Sequence, residues 1–229
     1  MKEALKQIRE DILEHAKISG RNSDEITLVA VSKTYPSEAI EEAIALGCED
    51  FGENKVQELM QKIDQIKERP KWHLIGHLQT NKVKYVVGHV ELIHSVDSLK
   101  LAKEIEKQSA KKGVITSILI EVNVAKEPSK HGIYIEEVLG LVQEIARLPH
   151  VKLKGFMTVA PYTENPEENR PIFRALYDLS VDIQKQNIDN ISTNILSMGM
   201  SNDYKIAIEE GATLIRIGTA LFGARDYNR

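Results

Sequence analysis

The chain carries one cysteine, Cys48, in 229 residues. That excludes an internal disulfide and any metal centre built from several thiolates. Cys48 follows Gly47 at the start of an expected strand, where a buried, inert thiol is the better reading than a nucleophile. Aromatic residues make up 5% of the chain, and no apolar run approaches the ~18 residues of a membrane-spanning helix. The N-terminal stretch interleaves Lys2, Glu3, Lys6, Arg9 and Glu10 with its apolar positions, so it lacks the uninterrupted apolar centre of a secretion signal, and a cytoplasmic location is expected. Charge of one sign is not in excess either: 30 Lys and Arg against 34 Asp and Glu leave a net charge of −4. A broad basic surface for nucleic acid or anionic membrane is therefore not expected, although a small anion needs only a local positive field. Linkers and low-complexity segments are missing as well. One domain over residues 1–229 is expected, and a monomer.

What is present is a regular alternation. An amphipathic helix over residues 2–18, with Leu5, Ile8, Ile12 and Leu13 on one stripe, precedes eight strand-like segments. These are predicted at residues 26–31, 49–52, 72–76, 90–94, 114–124, 151–159, 192–196 and 213–217, with helices between them and Gly47, Gly88, Gly113 and Gly211 as stops. Asp97 is the expected cap of the helix that ends at Gly113. Eight strands each followed by a helix is the arithmetic of a (β/α)8 TIM barrel with an extra N-terminal helix. A doubly wound sheet would share the alternation, but no Gly-x-Gly-x-x-Gly turn follows the first strand.

In such a barrel the C-terminal strand ends share one face, where active sites are built. Lys33 stands at the first of these ends. An amine attacks a carbonyl only when deprotonated, and a half-buried rim lowers the cost of losing the proton, so Lys33 is a Schiff-base candidate as well as a possible solvated lysine. Asn54, His77 and Asn123 fall at other strand ends. Residues 197–202 (SMGMSN) are expected between the seventh strand and its helix, and residues 216–220 (RIGTA) at the tip of the eighth. These are the two places where barrels hold phosphate, using glycine backbone and helix N-terminal amides, with Ser201 and Thr219 as added hydroxyls. Arg216, set among Leu214, Ile215 and Ile217, needs an anion or a ligand to hold. A lysine, a phosphate pocket and an arginine facing one cavity suggest pyridoxal phosphate. His73 and His77, four apart, are expected on one face of the third strand, with no third ligand evident and so no metal expected.

Residues 31–36 (VSKTYP), 51–58 (FGENKVQE), 72–82 (WHLIGHLQTNK), 196–203 (LSMGMSND) and 216–225 (RIGTALFGAR) closely resemble the pyridoxal phosphate homeostasis protein family over about residues 1–226. The resemblance implies a single barrel like the N-terminal domain of alanine racemase, of pyridoxal-phosphate fold type III, with the cofactor held covalently as an internal aldimine on Lys33. It implies Ser201, Gly218 and Thr219 as the phosphate cradle, with Met200 and Ser197 alongside, Arg216 facing the pyridine nitrogen, and Asn54 and His77 lining the pocket. The implied role is vitamin B6 and amino-acid homeostasis, with apo forms of pyridoxal-phosphate enzymes as potential acceptors. An arginine does not protonate the ring nitrogen, which leaves the cofactor a weak electron sink, and only six residues follow Gly223. A non-catalytic or barely catalytic holder is expected, with an amino-acid racemase and a cofactor-free Schiff-base aldolase as the alternatives.

Overall fold

The computed structural model describes residues 1–223. Strands β1 (Thr27–Val31), β2 (Asp50–Glu53), β3 (Lys71–Leu74), β4 (Leu92–Val96), β5 (Thr116–Glu121), β6 (Val151–Met157), β7 (Ile191–Met200) and β8 (Leu214–Ile217) form a closed parallel barrel in sequence order. The closing pair is β1 with β8, in a register that sets Val29 beside Arg216 and Ala30 beside Ile217. Helices α1 (Lys2–Ile18), α2 (Ser37–Ala45), α3 (Val56–Gln65), α4 (Val83–Val86), α5 (Leu99–Lys112), α6 (Ile135–Ile145), α7 (Arg170–Lys185), α8 (Tyr204–Glu209) and α9 (Thr219–Phe222) lie between and around the strands. The alternation read from the sequence is thus the architecture, a TIM barrel with an N-terminal helix.

The strands are apolar on both faces because each face is covered, and two separate cores result. The larger lies between strands and helices and includes Phe51, Phe156, Phe173, Leu59 and Ile105. The smaller fills the barrel itself with Val29, Leu92, Leu119, Met157 and Leu214. Side chains alternate across a strand, so the inward series continues from these residues to Asp50, His73, His94, Glu121, Ser197 and Arg216. The barrel is therefore oily at one level and polar at the next.

The extra helix has a structural task. The helix after β8, α9, is a single turn, and α1 occupies the neighbouring stretch of the outer ring. Asp11 accepts from the Tyr204 hydroxyl of α8, and Arg9 donates to the Leu46 and Gly47 carbonyls beyond α2, at 3.3 and 2.9 Å. His15 and Arg170 meet the two carboxylate oxygens of Glu209 at 2.6 and 2.7 Å, tying α1 to α7 through α8.

Several boundaries differ from those read in the sequence. The cap of α5 is Ser98, whose hydroxyl accepts from the Leu101 amide at 3.3 Å, and not Asp97; Asp97 turns its carboxylate to His77 instead, at 3.5 Å. Strand β4 runs two residues further along than expected, which moves His94 and Ser95 from the strand tip into a fully buried stretch. Strand β5 is shorter than the expected 114–124 run, and β7 is longer: Ser197 to Met200 belong to the strand rather than to the loop after it. The register shifts between β7 and β8 over this stretch, where Gly199 has φ 90° and an added Cβ would meet the Ala207 Cβ at 2.6 Å.

The tightest approach in the sheet is at Gly155, where the β6–β7 register also shifts. Its φ is 149°, and a Cβ there would lie 1.9 Å from the Ile195 carbonyl oxygen. Gly155→Ala is expected to cost on the order of 3–5 kcal/mol, because the atom in the way is backbone on a paired strand and has no rotamer to retreat into. Urea denaturation of the two chains measures it.

Candidate functional site

Lys33 lies two residues beyond β1, half-buried, in the turn that leads to α2. Both neighbours in the chain are fixed. The Ser32 carbonyl accepts from Lys62 Nζ at 2.8 Å, and the Thr34 amide donates to Glu58 Oε1 at 2.6 Å. Thr34 has φ 69°, a left-handed conformation that a β-branched residue adopts only when its surroundings impose it. Behind it, Lys62 is paired with Glu53 and Glu58 at 2.7 Å each, and Ser32 Oγ donates to Glu53 at 2.6 Å. Burial raises the carboxyl of Glu53 above its ordinary value against the opposing pull of Lys62. The turn that carries Lys33 is thus clamped from α3, on the side away from the barrel mouth.

Across the β1–β8 seam the loops expected to hold an anion meet. Ser201 Oγ accepts from the Ala220 amide at 3.2 Å, joining the end of β7 to the first turn of α9. Gly218 is buried and close to the Val31 carbonyl oxygen, which a Cβ would approach to 3.4 Å; Thr219 is exposed and Ser201 half-buried. Asp203 holds the β7 end in place, accepting from the Met200 amide at 2.7 Å and from Asn169 at 2.9 Å. Met200 is partly exposed at this edge. On the β1 side, Tyr35 stacks on Phe222 and donates its hydroxyl to the Gly223 carbonyl at 2.7 Å. The last residues of the 216–225 motif, Ala224 and Arg225, lie outside the described residues.

Arg216 is 4% exposed. It donates to Ser197 Oγ at 2.6 Å and to the Thr158 carbonyl at 2.9 Å. Burial pulls its guanidinium down to about 10, opposed by Asp203 and Glu121. Ser197 is fully buried and faces the barrel interior with Arg216 rather than the loop side.

Asn54 is half-buried just past β2, and Gly76 presses against it so closely that a Cβ would lie 2.4 Å from the Asn54 carbonyl oxygen. His73 and His77 do not share a surface. Strand β3 ends at Leu74, which leaves His73 inside the barrel and His77 on the rim, stacked on His131 with ring centroids 4.2 Å apart. The ligand atoms of His77, Asp97 and His131 all lie within 4.8 Å of one another, so a third potential ligand stands near His77 that its own strand does not supply.

The sequence reading missed Glu58, Lys62, His94, Asp203 and Glu121. Lys62 had a visible signal: it interrupts the apolar stripe of α3 between Leu59 and Ile66 and lies one turn after Glu58. His94 and Glu121 are polar residues inside strands that must be buried on both faces, which marks them as facing the barrel interior.

Glu121 has 8% exposure, and burial with Asp97 nearby pushes its carboxyl up to about 7, against Arg216. The folded chain therefore holds this proton more tightly than the unfolded chain does. The stability this contributes is complete below the ordinary carboxylate value of 4.5 and is lost as pH rises through about 7. The loss is on the order of 3 kcal/mol at alkaline pH. Glu121→Gln is expected to flatten this fall, so that urea denaturation at acidic and alkaline pH gives nearly equal midpoints where the parent chain is weaker at the alkaline one.

The family model for the alanine racemase N-terminal domain matches residues 4–226. The pyridoxal phosphate homeostasis protein of Aquifex aeolicus is 46% identical over 226 residues, 98% of each chain. That of Escherichia coli K12 is 40% identical over 232 residues, 98% of this chain and 97% of the other. Among solved structures, PipY of Synechococcus elongatus with pyridoxal phosphate bound superposes with a TM-score of 0.81 at 34% identity, covering 93% of this chain and all of PipY. An alanine racemase of Clostridium difficile, at 15% identity and a TM-score of 0.72, covers 96% of this chain and 57% of its own, and shows the common fold. A closed barrel of the shared fold and similarity to these relatives running the length of the chain make this protein a member of the pyridoxal phosphate homeostasis protein family.

Proposed function

We propose that this chain is a one-domain binding protein for pyridoxal 5'-phosphate, linked covalently through Lys33, and that it holds and releases the cofactor rather than catalysing with it. The observation that supports the reading is that the turn carrying Lys33, the buried Arg216 guanidinium and the Ser201–Ala220 hydroxyl–amide pair belong to the neighbouring strands β1, β8 and β7 and the loops after them. The donor set suits the group. Lys33 can join its aldehyde, and the Ala220 amide, Ser201, Gly218 and Thr219 offer donors and close backbone approach for a phosphate dianion. Arg216 offers a permanently charged donor to the ring nitrogen. The PipY structure with pyridoxal phosphate bound, at 34% identity over nearly the whole chain, supports the same ligand here.

When bound, the cofactor supplies an electron-withdrawing ring and a reactive aldehyde. The residues of this chain favour retention over turnover. A guanidinium does not give up a proton to the ring nitrogen, so the ring stays a weak electron sink. Ser32, Glu58 and Lys62 hold the Lys33 turn still. Met200 lies at the edge beside the β7 and β8 loops, Ser197 supports Arg216 from the interior, and Asn54 and His77 border the mouth on the β2 and β3 side. The curated relatives' name supports a homeostatic role, with apo forms of pyridoxal-phosphate enzymes as acceptors. Among the described residues no helix is long and apolar enough to cross a membrane, in keeping with a cytoplasmic site of action.

Mixing the purified chain with pyridoxal phosphate is expected to give the visible absorption of a lysine-linked cofactor, trapped by borohydride. Lys33→Ala should abolish the band while circular dichroism stays unchanged; a persisting band would move the link to another lysine. Replacing Ser201 and Thr219 by Ala together should weaken binding by about 1.5–3 kcal/mol, the contribution of hydrogen bonds to a charged group, read by equilibrium titration. Racemisation of an L-amino acid at about 1–10³ per second would overturn the non-catalytic reading.

A further inference from the structure

Between Arg216 and the far end of the barrel runs a set of interior side chains that cofactor binding leaves without a task. Arg216 Nη1 donates to Ser197 Oγ at 2.6 Å. Ser197 Oγ lies 2.9 Å from His94 Nδ1, His94 Nε2 lies 2.9 Å from His73 Nδ1, and His73 Nε2 lies 2.9 Å from Asp50 Oδ1. Ser197 and His94 are fully buried and His73 nearly so, while the Asp50 side chain reaches water at 15% exposure. The members come from β8, β7, β4, β3 and β2. Asp50 opens β2, at the N-terminal rim, and Arg216 stands near the mouth.

The direction of every bond follows from the two ends. The Asp50 carboxylate only accepts, so His73 Nε2 carries the proton, and in a neutral imidazole His73 Nδ1 is then bare and accepts from His94 Nε2–H. By the same rule His94 Nδ1 is bare and takes the Ser197 hydroxyl proton, which leaves Ser197 Oγ to accept from Arg216, a donor only. Two neutral imidazoles and one hydroxyl thus bridge a cation to an anion, all dipoles aligned. A second proton on His73, at Nδ1, would set two N–H donors face to face with His94 Nε2–H. Burial, with His73 and Arg216 close by, holds the His94 imidazole well below its ordinary value, in the same sense.

We propose that Asp50, His73, His94 and Ser197 are positioning residues for Arg216. They form a one-way hydrogen-bond chain through the barrel that ties the guanidinium to a carboxylate at the opposite rim and fixes the plane in which it meets the ring nitrogen of the cofactor. The last part of this statement rests on the proposed function; the chain itself does not. Aligned hydrogen bonds in a low-dielectric interior strengthen one another, so the charge of Asp50 is felt at the mouth although its atoms are remote from it. Asp203 and Glu121 also act on Arg216, but neither fixes its plane through Ser197.

The chain is tested first without cofactor. Long-range proton–nitrogen correlation spectra of histidine-labelled protein should show His73 and His94 as Nε2–H tautomers, with His94 remaining neutral well below the ordinary histidine value of about 6.5. An Nδ1–H tautomer at either residue overturns the proposal. The second test is Asp50→Asn, which keeps an acceptor for His73 but removes the charge. It should lower affinity for pyridoxal phosphate about tenfold, the lower end of the range for losing a group that orients a ligand-binding side chain. It should also shift the absorption maximum of the bound cofactor, and Asp50→Glu should restore both. Equal affinity and absorption in the parent chain and Asp50→Asn would overturn the proposal. Where Asp50→Asn does not fold, Ser197→Ala with Ser197→Thr as the restoring variant makes the same comparison. A parent chain that binds no pyridoxal phosphate defeats the proposed function alone, because the tautomer measurement then still decides the chain.

Discussion

A positive charge that cannot be discharged, placed inside a closed ring of strands, is the constraint from which the rest of the structure follows. A buried guanidinium is costly unless its donors are matched. Arg216 meets this requirement with a hydroxyl, a backbone carbonyl and a line of imidazoles reaching a carboxylate at the other rim. Arg216, Ser197, His94, His73 and Asp50 are therefore one connected system inside the barrel, and Val29, Leu92, Leu119, Met157 and Leu214 form the apolar part that remains for close packing.

The amine side of the site is managed from outside the barrel. Lys62 reaches inward from α3 to the Ser32 carbonyl and to Glu53, and Glu58 takes the Thr34 amide. These contacts hold a turn whose left-handed threonine would otherwise relax. Rigid presentation of one lysine, a cation fixed by interior hydrogen bonds and an anion cradle assembled from two loops divide the work among three parts of the fold. The division suits the proposed function, in which each part meets a different portion of pyridoxal phosphate.

The single-turn α9 and the N-terminal α1 belong together in this account. A short helix after β8 leaves the loops after β7 and β8 open at the mouth. The ring of helices is then completed by α1, through Asp11 to Tyr204 and Arg9 to the carbonyls after α2. The extra helix that the sequence announces is thus part of the barrel's outer wall.

Much of this was legible in the sequence, because its signals are local. The stripe of Leu5, Ile8 and Ile12 gives α1, β-branched runs give strands, and Gly47, Gly88, Gly113 and Gly211 mark turns that need positive φ. Eight such repeats have one economical closed arrangement, so Lys33, Ser201, Gly218 and Thr219 could be assigned to one face from their places at strand ends. What the sequence could not decide is which residues far apart in the chain face one another. The sequence places Ser197 in a loop, and it is interior strand; it sets His73 beside His77, and His73 pairs with His94 and Asp50; it offers Asp97 as a cap, and Asp97 faces His77. Strand register and barrel closure make those choices, since a shift of one or two residues sends a side chain to the other face, and only the packed tertiary structure sets that register.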